Sequence, residues 1–340
     1  MRDGELVRGP DAHMWRMLFT DGGEFGVPDD LMQTAHQAGV EIIIMPGHDP
    51  AEIATRGVEC DGLFLFRARI DDNLLAALPR CRALARVGTG YDLMDVEAAR
   101  RRDVTVTYVP EFCTEEMSDQ VMMFILAFAR QVPHLLEAGH AHRWLTIAEI
   151  PKPHRIAGRT LGLLGFGRTG QRTAEKARVF GLDVRVWTRT PRPDALTRTG
   201  ARAATFDEVL GCDYVSLHVP LTPQTRGLID RQALARFKPG AVLINTARGA
   251  VVDTDALVEA LRAGRLAGAA LDVVDPAPLP PAHPLWRLPN VWITSHSASL
   301  SVEALSESLA ISLHDVIRMH DGLPPLHPVP ELAMSGTTAT

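Results

Sequence analysis

The sequence predicts an α/β protein made of two doubly wound domains, each containing a parallel β-sheet. Two observations favour this fold class. Short apolar runs rich in β-branched residues alternate with helical segments along the chain, which is typical of parallel sheets covered by helices on both faces. The length of 340 residues is about twice that of a single domain, so two domains are expected.

Composition narrows the class of protein further. Hydrophobic residues make up 46% of the chain and charged residues 22%, a globular profile that excludes a disordered or fibrous protein. The formal net charge is −6 with 35 lysines and arginines, so no excess positive field is available and a nucleic-acid partner is not expected. The longest apolar run covers residues 121–129, far fewer than the roughly 20 residues of a membrane span, so no membrane partner is expected.

Two features bear on the cellular compartment. The first seven residues contain Arg2, Asp3 and Glu5 and have no apolar core, unlike a signal peptide. The four cysteines have neither paired nor metal-ligand spacing. We therefore expect a cytoplasmic protein without a metal site.

The first alternating series contains five predicted strands, at residues 14–19, 40–45, 62–66, 83–87 and 104–108. A helix is predicted over residues 28–39, where Gly39 ends it. A single long helix is predicted from Thr114 to about Trp144, because apolar residues recur at helical spacing and no glycine precedes Gly139. A proline-marked linker follows at residues 151–158.

The second series contains six predicted strands, at residues 159–164, 184–187, 214–218, 241–245, 268–272 and 291–294. Its first strand leads into Gly165-Phe166-Gly167-Arg168-Thr169-Gly170, followed by a helix over residues 171–180. In this motif the first glycine permits a tight turn, the second lets backbone amides approach a pyrophosphate, and the third lets helix and strand pack closely. Strand, loop, helix and second strand together predict a Rossmann-like dinucleotide site. A final helix is predicted over residues 301–319.

The end of the second strand bears on which nucleotide is bound. NAD sites usually place an acidic residue there, which bonds the ribose 2′-hydroxyl. Spacing puts Thr188 at this position, followed by Arg189 and, further on, Arg192. A hydroxyl and a guanidinium can bind a 2′-phosphate that a carboxylate would repel. The sequence therefore favours NADP over NAD. The alternative is that both arginines are ordinary solvated surface charges.

Four blocks, in this order and spacing, resemble the D-isomer-specific 2-hydroxyacid dehydrogenase family. They cover residues 86–97, the glycine loop, residues 215–253 and residues 270–296. Residues 109–116 also resemble the branch of that family with C-terminal-binding-protein-like members.

The resemblance implies a substrate domain of residues 1–112 and 300–340, and a dinucleotide-binding domain of residues 113–299 that includes the long helix. It also implies an active site in the cleft between the domains, a homodimer formed through that helix, and a small 2-oxo or 2-hydroxy acid as substrate. The expected activity is NAD(P)H-dependent reduction of a 2-oxo acid to a D-2-hydroxy acid.

The resemblance also implies roles for individual residues. Arg248 binds the substrate carboxylate and polarises the 2-oxo group, and His296 is the acid/base. These residue types suit the chemistry, because a guanidinium binds a carboxylate in bidentate fashion and an imidazole donates protons near neutral pH. The implied substrate-binding residues are Arg67, Val87, Gly88, Thr89 and Gly90. The implied cofactor-binding residues beyond the glycine loop, Thr188 and Arg189 are His218, Val219, Pro220, Thr225, Thr246, Ala247 and Asp272, the last of which holds the nicotinamide amide.

One position departs from the family pattern. The family pairs its histidine with a glutamate five residues after the aspartate equivalent to Asp272, where this chain has Ala277. Ser295 also replaces the usual proline before the histidine, and Gln120 stands where a histidine is common. A neighbouring carboxylate raises a histidine pKa and fixes its tautomer, so its loss predicts weaker reduction at neutral pH or a more acidic optimum. Two alternatives therefore stay open: an enzyme that uses the nucleotide for a different reaction on a carboxylate or carbonyl substrate, and a nucleotide-sensing binding protein with vestigial catalysis.

Overall fold

A computed structural model describes residues 13–330, which form two compact units. The first unit comprises the described residues up to Phe112 together with those from Ser301 onward, and the second unit comprises Cys113–Leu300. Each unit has one sheet, and all pairs of named strands are parallel. The predicted fold class of two parallel-sheet α/β domains is thereby confirmed. The first seven residues, considered above for a signal peptide, lie outside the described range, as do the outer ends of the predicted substrate domain.

The first unit has a five-stranded sheet in the order β2-β1-β3-β4-β5. Its strands are β1 (Trp15–Phe19), β2 (Val40–Ile44), β3 (Gly62–Leu65), β4 (Ala83–Arg86) and β5 (Thr105–Thr107). Its helices are α1 (Gly22–Phe25), α2 (Asp29–Gln37), α3 (Pro50–Gly57), α4 (Asp72–Ala76), α5 (Val96–Arg101) and, from the end of the chain, α13 (Val302–His320). All five strands predicted for this unit are present, each within two residues of the predicted bounds.

Aspartate side chains begin three of these helices. Asp49, Asp71 and Asp95 each accept hydrogen bonds from backbone N–H groups in the first turn of α3, α4 and α5. Ser301 does the same for α13. These caps satisfy N–H groups that have no partner inside the helix, and they fix where each helix begins after its loop.

The second unit has a seven-stranded sheet in the order β12-β11-β10-β9-β6-β7-β8. Its strands are β6 (Thr160–Leu164), β7 (Asp183–Trp187), β8 (Arg202–Ala203), β9 (Tyr214–Leu217), β10 (Ala241–Asn245), β11 (Leu266–Leu271) and β12 (Val291–Ile293). Its helices are α6 (Thr114–Arg130), α7 (Val132–His140), α8 (Arg168–Val179), α9 (Pro193–Thr199), α10 (Phe206–Leu210), α11 (Arg231–Arg236) and α12 (Thr254–Arg262). Six of these strands were predicted, and the two-residue β8 was not.

The chain changes direction across this sheet between β6 and β9. From β6 the strands β7 and β8 follow on one side, whereas β9 to β12 follow on the other. In parallel α/β sheets, ligands bind outside the carboxyl ends of the strands at such a switch point. The order of strands therefore marks the position at which the glycine loop, after β6, lies next to the loop after β9.

The prediction of one helix from Thr114 to about Trp144 is wrong. Two helices, α6 and α7, meet at Gln131 with a bend of 69°, and α7 ends at His140. Gln131 has a left-handed backbone with φ of 56°. Pro133 has no N–H to donate to the carbonyl of Ala129, which accepts instead from the N–H of His154 at 2.8 Å. The proline interrupts the helix that the apolar spacing suggested.

The same two helices bear on whether the chain could span a membrane. Within residues 13–330, no single helix is long and apolar enough to cross a membrane. Helices α6 and α7 reach that length and apolarity only when taken together, and they are bent at Gln131.

Candidate active site

The glycine loop follows β6 and leads into α8. Gly165 has φ of +100°, and a Cβ placed on it would lie 2.6 Å from the carbonyl oxygen of His218. A Cβ on Gly170 would lie 2.8 Å from the carbonyl oxygen of Gly165. The backbone therefore requires glycine at both positions, for the turn and for close helix packing, as the sequence motif predicts.

The middle glycine of the motif, Gly167, is not required by the protein's own geometry. A Cβ on Gly167 would meet no protein atom within 4 Å. Its φ of −73° is open to any residue, so neither backbone conformation nor packing requires a glycine there. Gly167 caps the N-terminus of the 12-residue helix α8, where free N–H groups and the helix dipole favour an anion. Open space at this point fits the close approach of a pyrophosphate.

The residues between the glycines of the loop differ in how exposed their side chains are. The Phe166 side chain is 2% exposed and packs in the core of the second unit, so only its main chain can face a nucleotide. Arg168 is exposed and Thr169 is half-buried at the start of α8.

Thr246, after β10, is buried, and its Oγ1 has no hydrogen-bond partner among the described residues. An unsatisfied hydroxyl at the carboxyl edge of the sheet fits a cofactor site.

The predicted ribose position follows β7. Thr188 Oγ1 donates to the carbonyl of Thr190 at 3.2 Å, which ties the turn to itself. Arg189 and Arg192 are exposed, and neither forms an ion pair or side-chain hydrogen bond with another residue between 13 and 330. The geometry leaves both guanidinium groups available to an anionic ligand.

The loop after β9 lies beside the glycine loop. His218 Nε2 lies 3.0 Å from Ser216 Oγ, and burial lowers the pKa of His218 to about 4, so its ring is neutral at pH 7. Val219 packs in the core, whereas Pro220 is exposed and its carbonyl accepts from Thr225 Oγ1 at 2.6 Å. This compact turn keeps the loop after β9 in a fixed shape.

Arg248 lies in the turn after β10. The Asn245 side chain holds that turn: its amide donates to the carbonyl of Arg248 at 2.9 Å and its oxygen accepts from the N–H of Ala247 at 3.0 Å. Arg248 Nη1 also donates to the carbonyl of Ala247 at 2.8 Å. A Cβ on Gly249 would lie 2.1 Å from the backbone of Val274, so the turn packs tightly beneath the arginine. The backbone that carries the Arg248 guanidinium is therefore held in a fixed position.

His296 lies in the segment that follows β12. It is exposed, and its φ of 54° is in the left-handed region that residues other than glycine rarely adopt. Its N–H donates to the carbonyl of Asp272 at 2.9 Å. Because β12 and β10 flank β11 on the same sheet, His296 and Arg248 lie at the same carboxyl edge with one strand between them.

Asp272 is 2% exposed, at the end of β11. Its carboxylate accepts three hydrogen bonds from the His296 segment: from Thr294 Oγ1, from the N–H of Ser297 at 2.9 Å and from the N–H of Ala298 at 3.0 Å. The carboxylate therefore binds the protein's own loop, whereas the role implied for it by the sequence, holding the nicotinamide amide, remains a prediction.

The position of the family glutamate is exposed. Ala277 lies in residues 274–278, where the carbonyl of Asp275 accepts from Thr254 Oγ1 at 2.8 Å. The Asp275 carboxylate forms no hydrogen bond or ion pair with another described residue. A methyl group thus occupies the place of the family carboxylate.

The predicted carboxylate-binding loop belongs to the first unit and follows β4. The Arg86 side chain shapes it, because Nε donates to the carbonyl of Gly90 at 2.7 Å and Nη1 donates to the carbonyls of Val87 and Leu65. Gly88 has φ of +152°, and Thr89 Oγ1 donates to the carbonyl of Val109 at 2.9 Å. The structure therefore adds Arg86 as the residue that organises this loop.

Arg67 lies in the loop after β3, at the same edge of the first sheet. Its N–H donates to Asp21 Oδ2 at 3.0 Å, and its guanidinium pairs with Glu24 at 2.7 Å. Asp21 is buried with a left-handed φ of 63°, and its other oxygen lies 2.6 Å from His48 Nδ1. Sequence reasoning missed Asp21, because a lone aspartate after a strand gives no signal of the loops it joins.

Comparisons with known proteins identify the family to which the chain is related. Residues 122–298 match the family model "D-isomer specific 2-hydroxyacid dehydrogenase, NAD binding domain". A glyoxylate reductase of Aeropyrum pernix is 37% identical over 283 residues, which cover 80% of this chain and 84% of the relative. A D-3-phosphoglycerate dehydrogenase of Mycobacterium leprae is 34% identical over 267 residues, 78% of this chain and 50% of the relative.

A solved structure shows the same likeness over nearly the whole chain. The TT0316 protein of Thermus thermophilus has a TM-score of 0.85 and 37% identity, and the match covers 93% of this chain and 100% of that one. These matches confirm the resemblance found in the sequence motifs and the enzyme class it implied. The chain belongs to the D-isomer specific 2-hydroxyacid dehydrogenase family.

Proposed function

We propose that the protein reduces a small 2-oxo acid to the corresponding D-2-hydroxy acid with NADPH as the hydride donor. One observation carries the proposal: a guanidinium after β10 and an imidazole after β12 lie at the carboxyl edge of the sheet that also bears the glycine loop. A cation for a carboxylate, a proton donor and a dinucleotide site are the groups that this reduction needs.

Each side chain then has a defined task. The glycine loop and the loop after β9 would hold a nicotinamide nucleotide, which would supply the hydride for the carbonyl carbon of the substrate. Arg248 binds the substrate carboxylate and withdraws electron density from the 2-oxo group. In the first unit, the main-chain N–H groups of Val87, Gly88, Thr89 and Gly90 bind the carboxylate as well, and Arg67 lines the substrate site.

His296 completes the reduction. Its imidazolium donates a proton to the substrate oxygen as the hydroxyl group forms, and in the reverse direction the neutral imidazole removes that proton. The exposed ring and its hydrogen-bonded backbone suit a group that must meet a substrate in a fixed orientation.

The choice of NADPH over NADH rests on the turn after β7. Thr188 takes the position of the acidic residue that serves NAD, and Arg189 and Arg192 are exposed guanidinium groups. We assign the 2′-phosphate to Thr188 and Arg189, since a guanidinium binds a phosphate through charge-assisted hydrogen bonds.

The size of the substrate is inferred from the relatives. Several relatives that are 36–37% identical to this chain are named glyoxylate reductase. We propose glyoxylate or a 2-oxo acid of similar size as the substrate.

The test follows the absorbance of NADPH and NADH with glyoxylate, hydroxypyruvate, pyruvate and phenylpyruvate between about pH 5 and 8. Oxidation that prefers NADPH and a small 2-oxo acid supports the proposal. Arg248→Gln should abolish turnover while NADPH still binds, measured by the fluorescence of the reduced nicotinamide. No oxidation of either nucleotide with any of these acids would overturn the reductase.

Ala277 favours a second candidate, since the family partner of the histidine is replaced by a methyl group. In that case the nucleotide serves a different reaction on a carboxylate or carbonyl substrate, or acts as a sensed ligand. Tight NADPH binding without oxidation supports this candidate, and consumption of a substrate without net nucleotide turnover distinguishes the enzyme from the sensor.

We further propose a homodimer formed through α6, α7 and the segment after them. Large apolar side chains are exposed along this part of the second unit: Met123, Val132, Leu135, Leu136, Trp144 and Ile147. Trp144 is 98% exposed, an arrangement typical of a surface that another chain covers.

We place the protein in the cytoplasm, because its four cysteines are free thiols, as expected in a reducing compartment.

A further inference from the structure

A threonine hydroxyl beside the proposed acid/base residue has no part in the reaction described above. Thr294 lies two residues before His296, immediately after β12. Its Oγ1 donates to Asp272 Oδ1 at 2.5 Å and accepts a long hydrogen bond of 3.5 Å from Gln120 Nε2. We propose that Thr294 is a positioning residue, which fixes the segment carrying His296 by joining it to the buried carboxylate of Asp272.

The segment 294–298 has no regular secondary structure, yet five hydrogen bonds tie it to the end of β11. The N–H of Thr294 donates to the carbonyl of Leu271 at 3.0 Å, and the N–H of His296 donates to the carbonyl of Asp272 at 2.9 Å. The Asp272 carboxylate then accepts from Thr294 Oγ1 and from the N–H groups of Ser297 and Ala298. Side-chain and main-chain donors on both sides of His296 thus converge on one residue.

The backbone of His296 needs this support. A left-handed φ of 54° at a residue with a Cβ persists only where the surroundings determine it. The residue before it is Ser295, whose φ is not fixed by a ring as that of proline is. The hydrogen bonds to Asp272 therefore restrain a segment that its own residues leave free.

Thr294 contributes the side-chain donor in this set. Asp272 is 2% exposed, so each donor to its carboxylate replaces water that cannot reach it. Without the Thr294 hydroxyl, Oδ1 keeps only the N–H of Ser297, and Gln120 loses its acceptor. We expect the segment to relax and the imidazole to lose its orientation, while the nucleotide loops after β6, β7 and β9 stay unchanged.

The inference rests on the proposed reduction, and its test compares Thr294→Val with Thr294→Ser. Valine keeps the shape and removes the hydroxyl, whereas serine keeps the hydroxyl. For Thr294→Val we expect kcat to fall about 10-fold to 100-fold, by analogy with the loss of hydrogen-bond partners that orient metal ligands. The KM and Kd for NADPH should stay unchanged, and Thr294→Ser should recover most of kcat.

A matched control and a second readout make the result decisive. Thr197→Val removes a hydroxyl that bonds only the carbonyl of Pro193 within α9, and it should leave kcat unchanged. Amide hydrogen exchange at Ser297 and Ala298 should accelerate in Thr294→Val and not in Thr294→Ser. Should Thr294→Val fail to fold, Gln120→Leu removes the donor to the same hydroxyl and should lower kcat in the same direction by a smaller factor.

Different results separate the two ideas. If the wild-type protein oxidises no NADPH, the proposed function fails, and the exchange rates alone decide the role of Thr294. If the wild-type protein turns over and Thr294→Val matches it in kcat and exchange, the positioning role is wrong. Equal losses in the valine and serine variants would also overturn it, because the hydroxyl would then not be the group that matters.

Discussion

Gly165 and His218 approach so closely that a Cβ on the glycine would lie 2.6 Å from the histidine carbonyl oxygen. Gly165 directly follows β6 and His218 directly follows β9. From these two neighbouring strands the sheet extends in opposite directions. The point at which the nucleotide is expected is thus also the tightest backbone contact of the glycine loop.

The surroundings of Gly165 and Gly167 predict different effects when each is replaced by alanine. Gly165→Ala should lower the free energy of unfolding by about 2 kcal/mol or more, since φ of +100° is strained for alanine and the Cβ has no room. Gly167→Ala should change stability by less than about 0.5 kcal/mol and raise the Kd for NADPH at least about tenfold, because the Cβ fills space meant for the pyrophosphate. Thermal unfolding and nucleotide fluorescence measure the two effects, and normal NADPH binding by Gly167→Ala would place the pyrophosphate elsewhere.

Arg189 should set the preference between the two nucleotides. Arg189→Ala removes a charge-assisted hydrogen bond, worth about 1.5–3 kcal/mol, so the KM for NADPH should rise about tenfold or more. The KM for NADH should change little. Arg236→Ala is the control. Arg236 lies in α11 and pairs with Asp207 of α10, so its removal should affect neither KM. Equal changes for NADPH and NADH would show that Arg189 does not contact the 2′-phosphate.

Ala277→Glu should extend reduction to higher pH. A carboxylate near an imidazole raises the pKa of that imidazole, so the protonated acid persists to higher pH. The upper pKa in the pH profile of kcat/KM for reduction should therefore rise. Ala277→Gln has the same size without the charge and should leave the profile in place. An unchanged pH profile in Ala277→Glu would mean that a carboxylate at position 277 does not affect the pKa of the acid/base residue.

Asp213 should contribute to stability at neutral pH. Burial alone would raise the pKa of its carboxyl, but hydrogen bonds from Lys238, Thr160 and Arg159 outweigh burial and hold the pKa well below its usual range. A lowered pKa means that the stabilisation is complete above the unfolded value of about 3.9 and is lost as the pH falls toward the folded value. Asp213→Asn should cost about 1–2 kcal/mol at pH 7, reduced by the partial exposure of both cations.

The difference between the wild-type protein and Asp213→Asn should shrink below about pH 4. Asp207→Asn provides the comparison, since Asp207 pairs with Arg236 on the surface and should cost less than about 1 kcal/mol. Urea unfolding at several pH values measures both variants. A cost for Asp213→Asn that is constant down to pH 3 would contradict the lowered pKa.

Leu136→Glu should dissociate the proposed homodimer. The leucine is 55% exposed on α7, and a charge in an apolar interface is poorly tolerated. Val179→Glu, at an 86% exposed position at the end of α8, is the control and should leave the assembly intact. Light scattering after size-exclusion chromatography gives the mass of each variant. A wild-type monomer would refute the dimer outright.

The sequence predicted the parts of this fold that depend on local pattern. Alternating apolar runs located all strands of both sheets except β8, whose two residues, Arg202 and Ala203, are exposed and carry no apolar signal. The glycine motif located the switch point, because Gly165 and Gly170 are fixed by backbone geometry that few other residues can satisfy.

What the sequence could not show depends on partners distant in the chain. The break at Gln131 involves a carbonyl satisfied by His154, 25 residues from Ala129, and helical spacing carries no trace of it. Asp272 looked like a cofactor ligand from its motif, whereas the three donors to its carboxylate come from residues 294–298. Local residue types identify candidates, and tertiary hydrogen bonds determine how much of each side chain is left for a ligand.

The composition of the first unit from two distant pieces of chain has a consequence during protein synthesis. Leu309, Leu313 and Val316 of α13 pack in one core cluster with Met17 and Phe19 of β1. On a ribosome, this face of β1 emerges nearly 300 residues before the helix that covers it. The second unit can complete its own core first. The apolar face of β1 stays uncovered until α13 has been synthesised, and until then it can bind chaperones or aggregate. Premature termination before α13 would therefore yield a chain whose second unit folds and whose first unit cannot.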